Sequence, residues 1–351
     1  MLVRSVLGMA ATVVALHVIG WGLLMLVVVP GHYLVQGSVF GVGLGVTAYT
    51  LGMRHAFDAD HIAAIDNTTR KLVAENGKAK VQTVGFWFAL GHSTVVFVLV
   101  ALLAFGVRAL ASSLEDEDSS LQRWTGVWGT SVSGTFLILI GLLNLSALIG
   151  IWGVFRRMRD GEFDEAQLER HLDNRGLLNR LLVPVVRLVR KPRHMYPVGL
   201  LFGLGFDTVT EVGLLVIAGG AAATGLPWYA IVVLPVLFSA GMTLFDSLDG
   251  SFMSYAYDWA FAKPVRKIYY NLVITGLSVA VALLIGGQEI VSILTEKLGV
   301  QTGVLAWIGN LDLGDLGYII VGLFVLTWAV AVAVWRFAGV ERRWQERLAA
   351  S

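Results

Sequence analysis

Eight stretches of this chain are too long and too apolar to be elements of a water-soluble protein, and they constrain everything else. They lie near residues 6–29, 39–65, 83–105, 127–152, 197–221, 228–250, 268–294 and 313–335. A helix crosses the hydrocarbon core of a bilayer in about 20 residues. Inside that core every backbone polar group must be satisfied within the structure itself. The expectation is an all-α polytopic membrane protein, a bundle of about eight transmembrane helices forming a single domain over residues 1–351. The first stretch, from Val6 to Val29, is longer than a signal-peptide core and reads as a retained span. Charged residues make up only 15% of the chain, against roughly 25% in soluble domains.

The basic residues orient the bundle. With the amino terminus in the cytoplasm, 22 of the 26 Lys and Arg residues fall in cytoplasmic loops or termini. This is the bias expected of an inner face, so both termini are expected to be cytoplasmic in a multi-pass protein of the cell membrane. Ten of those residues lie in 156–193, inside a basic cytoplasmic loop of about 153–196. Glu115-Asp116-Glu117-Asp118 forms an acidic external turn. Tyr255, Tyr257, Trp259 and Phe261, followed by Lys263, Arg266 and Lys267, read as an interfacial anchor after the sixth span. A net charge of +1 gives no field for nucleic acid. Gly77-Lys78 lacks the glycine and hydroxyl residue of a phosphate-binding loop, so neither ATP hydrolysis nor an ATPase partner is implied.

Ionisable groups within such spans are costly unless paired or bound, and default to function. The second span carries Arg54-His55-Ala56-Phe57-Asp58-Ala59-Asp60-His61. On a continuous helix, His55, Asp58 and His61 fall along one side and Asp60 points away; a break in the helix would undo that convergence. Arg54 reads as the counter-charge of an aspartate. His92 stands in the third span. Asp207 and Glu211, four apart on one face, stand in the fifth, and Asp246 and Asp249 in the sixth. With no cysteine in the chain, imidazole and carboxylate are the available strong ligands. Together they suit nickel, cobalt, manganese or zinc better than magnesium or calcium. The same groups also suit a proton relay in a solute transporter. An intramembrane metalloenzyme is a further alternative, although the chain has no HExxH motif. Phe57-Asp58 recurs as Phe206-Asp207, and Phe88 with Gly91 recurs as Phe238 with Gly241, at nearly the same spacing. The matched spans run in opposite directions, as in the inverted repeats of secondary transporters.

Four stretches carry a resemblance. RHAFDADHI at 54–62, FALGHSTVV at 88–96, LGFDTVTE at 204–211 and GMTLFDSLDG at 241–250 are similar to the motifs of the nickel/cobalt transporter (NiCoT) family. The resemblance implies a secondary permease of eight helices, with nickel or cobalt ions as substrate and no cofactor. It implies that His55, Asp58, Asp60 and His61 are central to the site. His92, Asp207, Glu211, Asp246 and Asp249 are carried over from the other motifs. Asp60 divides the two readings, since the family motif includes it and the helical wheel turns it away.

Overall fold

The computed structural model describes residues 2–35, 38–76, 81–105, 120–159, 189–204, 214, 217–218, 220–222, 224–261, 264–311 and 316–337. They form an all-helical membrane protein. Helix α1 (Leu2–Leu23) continues into a π turn at Leu24–Val28 and a 3-10 turn at Val29–Gly31. His32 then takes a left-handed conformation, φ 47°, and the chain turns through a short antiparallel ladder in which Leu34 pairs with Val39. This pairing is a small addition to the all-α expectation. Next come α2 (Val42–His55), α3 (Ala59–Asn76), α4 (Val84–Ala104), α5 (Ser120–Arg159) and α6 (Met195–Gly203). Helices α7 (Trp228–Phe261), α8 (Pro264–Leu298), α9 (Gly303–Gly309) and α10 (Leu316–Phe337) complete the described chain.

Among the described residues, five helical segments are long and apolar enough to cross a membrane: Arg4–Gly31, Val84–Ala104, Val127–Gly150, Trp228–Trp259 and Leu272–Leu298. A shorter apolar helix covers Leu316–Val330. The expected second span, 39–65, is two helices. The ladder breaks at Ala56-Phe57-Asp58, where the amides of Phe57 and Asp58 bond back three residues, to the carbonyls of Arg54 and His55. Helix α3 then starts from the Asp58 carbonyl, which accepts from Ile62 N–H. The apolar run Ile62-Ala63-Ala64-Ile65 resumes the pattern beyond the break and conceals it in the sequence. The fifth span is described at its start, as α6, and again only at scattered helical positions from 214 to 222. Helix α5 runs on to Arg159, through the start of the expected basic loop, and residues 160–188 of that loop lie outside the described residues. The acidic turn at 115–118 lies outside them as well.

Two apolar cores flank the middle of the bundle. One joins the end of α1, α2, the second half of α4 and the first half of α7, around Leu24, Phe40, Val100 and Phe238. The other joins α3, the first half of α4, α5, α6, the second half of α7, α8 and α10, around Ile65, Phe88, Phe202 and Phe324.

The helices meet at matching glycines. A Cβ on Gly52 (α2) would strike the Phe238 carbonyl oxygen of α7, and one on Gly241 (α7) would strike the backbone of α2 at Tyr49 and Met53. In the α4–α6 pair, a Cβ on Gly199 would strike the Phe88 carbonyl oxygen, and one on Gly91 the backbone of Tyr196 and Leu200. Without side chains at these points the backbones close to van der Waals distance, which is how packing holds helices together where the hydrophobic effect is absent.

Candidate metal site

The break in the second span places one imidazole on each side of itself. His55 is the last residue of α2 and His61 lies in the first turn of α3. Their ring centroids are 4.5 Å apart. His92, in the middle of α4, completes the group, with ring centroids 4.7 Å from His55 and 4.9 Å from His61. The three residues are 1%, 0% and 3% exposed. One nitrogen from each lies within 4.8 Å of the others. Imidazole–metal bonds of about 2.0–2.1 Å set nitrogens that share an ion about 3–4 Å apart, so small ring rotations suffice for common ligation.

Two carboxylates flank the rings. Asp58 Oδ2 is 2.7 Å from His55 Nδ1, and Asp246 Oδ2, on α7, is 3.3 Å from His61 Nδ1. Asp246 accepts the hydrogen bond of His61 Nδ1–H and leaves Nε2 with its lone pair, the usual support of a metal-binding histidine, and Asp58 stands as an acidic neighbour beside His55 Nδ1. His55 Nε2 lies 3.0 Å from His92 Nε2. His61 Nε2 is buried and has no hydrogen-bond partner. Phe88 presses edge-on to His61 at 4.7 Å, and Phe238 covers His55 at 5.7 Å. The result is a buried cluster of imidazole nitrogens flanked by one acid from the helix break and one from α7.

The structure thus brings together His55, Asp58, His61, His92 and Asp246. It turns Asp60 elsewhere: that carboxylate sits in the first turn of α3 and accepts the His61 backbone N–H at 2.9 Å. A carboxylate there complements the positive end of the helix dipole. Asp249 lies one turn beyond Asp246 on α7, and no contact joins it to a histidine of the cluster among the described interactions. Asp207 and Glu211 lie outside the described residues. Arg54 is exposed at the end of α2. Tyr257 is no part of an interfacial anchor: it is 1% exposed, and its hydroxyl bonds the buried carboxylate of Asp66 on α3.

The sequence reading missed the polar interior of α3. Asp66, Asn67, Thr68, Thr69, Arg70 and Lys71 are consecutive and all buried. Arg70 donates to Thr275 of α8, Lys71 to the Val189 carbonyl, and Asn144 of α5 to Asn67. The signal available was a polar run directly after the histidine motif. A loop produces the same signal, and Arg70 and Lys71 are among the 22 Lys and Arg residues that the sequence places on the cytoplasmic side.

Residues 41–334 match the NicO family model, described as high-affinity nickel-transport protein. The chain belongs to the NicO family. It is 56% identical over 336 residues to a nickel transporter of Mycobacterium tuberculosis, covering 96% of this chain and 90% of that one. It is 44% identical over 334 residues to a nickel transporter of Staphylococcus aureus, 95% of each chain. A cobalt transport protein of Rhodococcus rhodochrous is 40% identical over 333 residues, 94% of this chain and 92% of that one. These NicO relatives are transporters and not enzymes, so the metalloenzyme alternative falls. No solved structure matches the chain.

Proposed function

We propose that this chain takes up divalent nickel and cobalt ions across the cell membrane, with His55, His61 and His92 as the direct ligands of the ion in transit. The observation that carries the assignment is the convergence of three buried imidazoles from α2, α3 and α4, two of them beside aspartates. Nitrogen donors with carboxylate support suit nickel and cobalt, the metals named for the relatives. Asp58 and Asp246 hold the rings and supply negative charge. Asp60 shapes the start of α3. Asp249 continues the ion path beyond the histidines, and Asp207 and Glu211 join the metal-site residues through the family motif they carry.

We infer the rest of the architecture from the sequence. The chain is one permease domain of eight spans across the bilayer, with the basic loop and both termini in the cytoplasm, and it needs neither nucleic acid nor an ATPase partner. Its two halves are an inverted repeat. The support is the glycine packing, in which each pair, α2–α7 and α4–α6, takes one helix from each half and meets through the same contacts. Rocking one pair against the other would open the site alternately to the two sides. A negative interior favours cation entry by about 2.3 kcal/mol per charge per 100 mV.

The test is uptake of radioactive nickel, with cobalt as competitor, in cells expressing the chain. His61→Ala should abolish saturable uptake while the protein still reaches the membrane. Asp246→Asn should weaken it by about 10–100-fold, the usual loss when a ligand's support is removed. Near-normal uptake by His61→Ala would sink the assignment.

A further inference from the structure

Beyond the histidines, α3 and α7 run side by side. Asp246 meets His61, and four residues on in each helix Gly250 packs against Ile65, with a Cβ position 3.4 Å from Ile65 Cγ2. The neighbours of that contact are Asp249 and Asp66, which stand at the same level and act on each other electrostatically. Asp66 is 0% exposed. One of its oxygens accepts the Tyr257 hydroxyl and the other, Oδ2, has no partner. Asp249 Oδ2 is likewise buried without a partner. Arg70, one turn further along α3, is a positive charge near Asp66, and Asp249 brings a second carboxylate beside that one. Two carboxylates, each with a buried oxygen that has no partner, call for a cation between them.

We propose that Asp66 and Asp249 form a second cation station, made of oxygen ligands, which receives the ion after the histidine cluster. The proposal rests on the uptake reading above. First-row divalent ions bind imidazole more firmly than carboxylate alone. A path that ends in a weaker oxygen site lets an ion captured by the histidines leave, as conduction requires. Tyr257 orients Asp66 and keeps one of its oxygens from the ion. This assigns α3 a function along its buried polar length rather than at its first turn alone.

The test uses the full chain in detergent with Co2+ as the probe, titrated by calorimetry and by visible absorption. The intact protein should show a tight site with the spectrum of nitrogen ligation and a site at least tenfold weaker. His61→Ala should lose the tight site and keep the weak one. Asp66→Asn, which retains the side-chain shape and an acceptor for Tyr257, should do the reverse, and its uptake in cells should fall at least tenfold. Asp249→Asn should repeat the Asp66→Asn result, and decides the matter if Asp66→Asn does not fold. Loss of both sites in a folded His61→Ala protein, or unchanged weak binding and uptake in the aspartate variants, overturns the second station. A tight site that survives His61→Ala instead overturns the histidine assignment and leaves the oxygen station standing.

Discussion

The helix pairs α2–α7 and α4–α6 are built on one plan and differ at one position that matters. In both, a tyrosine precedes a glycine by three residues on one helix (Tyr49 and Gly52, Tyr196 and Gly199), and a phenylalanine precedes a glycine by three on the other (Phe238 and Gly241, Phe88 and Gly91). In both, each glycine lies against the backbone of its partner helix. Three residues after the first glycine the pairs diverge, to His55 in α2 and Phe202 in α6. The contacts there still correspond: His55 packs on Phe238 at 5.7 Å and Phe202 on Phe88 at 5.1 Å. The backbone plan is shared, and the chemistry has been placed on one copy. Packing sets how closely the helices approach, and a single side chain decides whether that approach makes a core or a member of the histidine cluster.

The largest effect should come from erasing that difference. His55→Phe gives α2 the residue that α6 already carries at the matching place, so the ring still has an aromatic neighbour to pack on. One nitrogen of the three is lost, and Asp58 loses its 2.7 Å partner. Saturable nickel uptake should vanish, while the melting temperature in detergent changes little. Retained uptake would mean that the two pairs are equivalent and that the cluster is not the site.

Next come the glycines, where the pairs should behave alike. Gly52→Ala and Gly199→Ala each push a methyl into a facing carbonyl oxygen, that of Phe238 or of Phe88. Neither backbone can yield without moving its helix. Overpacking a fitted contact costs about 1–3 kcal/mol, and both variants should lie at the upper end of that range in reversible unfolding. Gly52→Ala should also impair uptake more than Gly199→Ala, because it displaces the helix that ends in His55. Equal uptake in the two would show that the site tolerates a shift of α2.

Much of this arrangement was open to reading, for identifiable reasons. Span positions follow from apolar length, and the candidate ligands from residue type in a place where charge is costly, so His55, His61, His92 and Asp246 are legible. The helix break at 56–58 is not, because Ile62 to Ile65 continues the apolar pattern and no proline or glycine marks the turn. The convergence of His55 with His61 was expected from a continuous helix and arises from a broken one. Asp66 escaped notice because what surrounds it comes from far along the chain, Tyr257 from α7 and Ser278 from α8. Tyr257 was misread for the same reason, since a tyrosine near the end of a span looks interfacial until its buried partner is known. The glycine repeat was visible in part, as Gly91 and Gly241. Its other half needed the contacts, since Gly52 and Gly199 do not share the spacing of the Phe-Asp pairs.

The smallest effect separates the pairs again, through the two tyrosines. Tyr49 Oη lies 3.2 Å from His17 Nε2 and so ties α2 to α1. Tyr196 Oη lies 3.1 Å from Thr94 Oγ1 and so ties α6 to α4. Replacing either tyrosine by phenylalanine keeps the ring and deletes the hydroxyl, and interhelical hydrogen bonds in membranes are worth about 0.6 kcal/mol on average. The partners left behind differ. Thr94 keeps its bond to the Leu90 carbonyl at 2.7 Å, so its hydroxyl stays satisfied. His17 keeps its Nδ1 contact to the Val13 carbonyl at 2.8 Å, but its half-buried Nε2 loses the tyrosine. Tyr49→Phe should therefore cost about 0.6 kcal/mol or slightly more, and Tyr196→Phe less, with uptake within twofold of normal in both. A double-mutant cycle of Tyr49→Phe with His17→Ala measures the coupling directly. A value near 0.6 kcal/mol assigns the pair to helix packing. A value of about 2 kcal/mol or more exceeds what such bonds supply and would make the α1–α2 contact a second distinction between the two pairs, alongside His55.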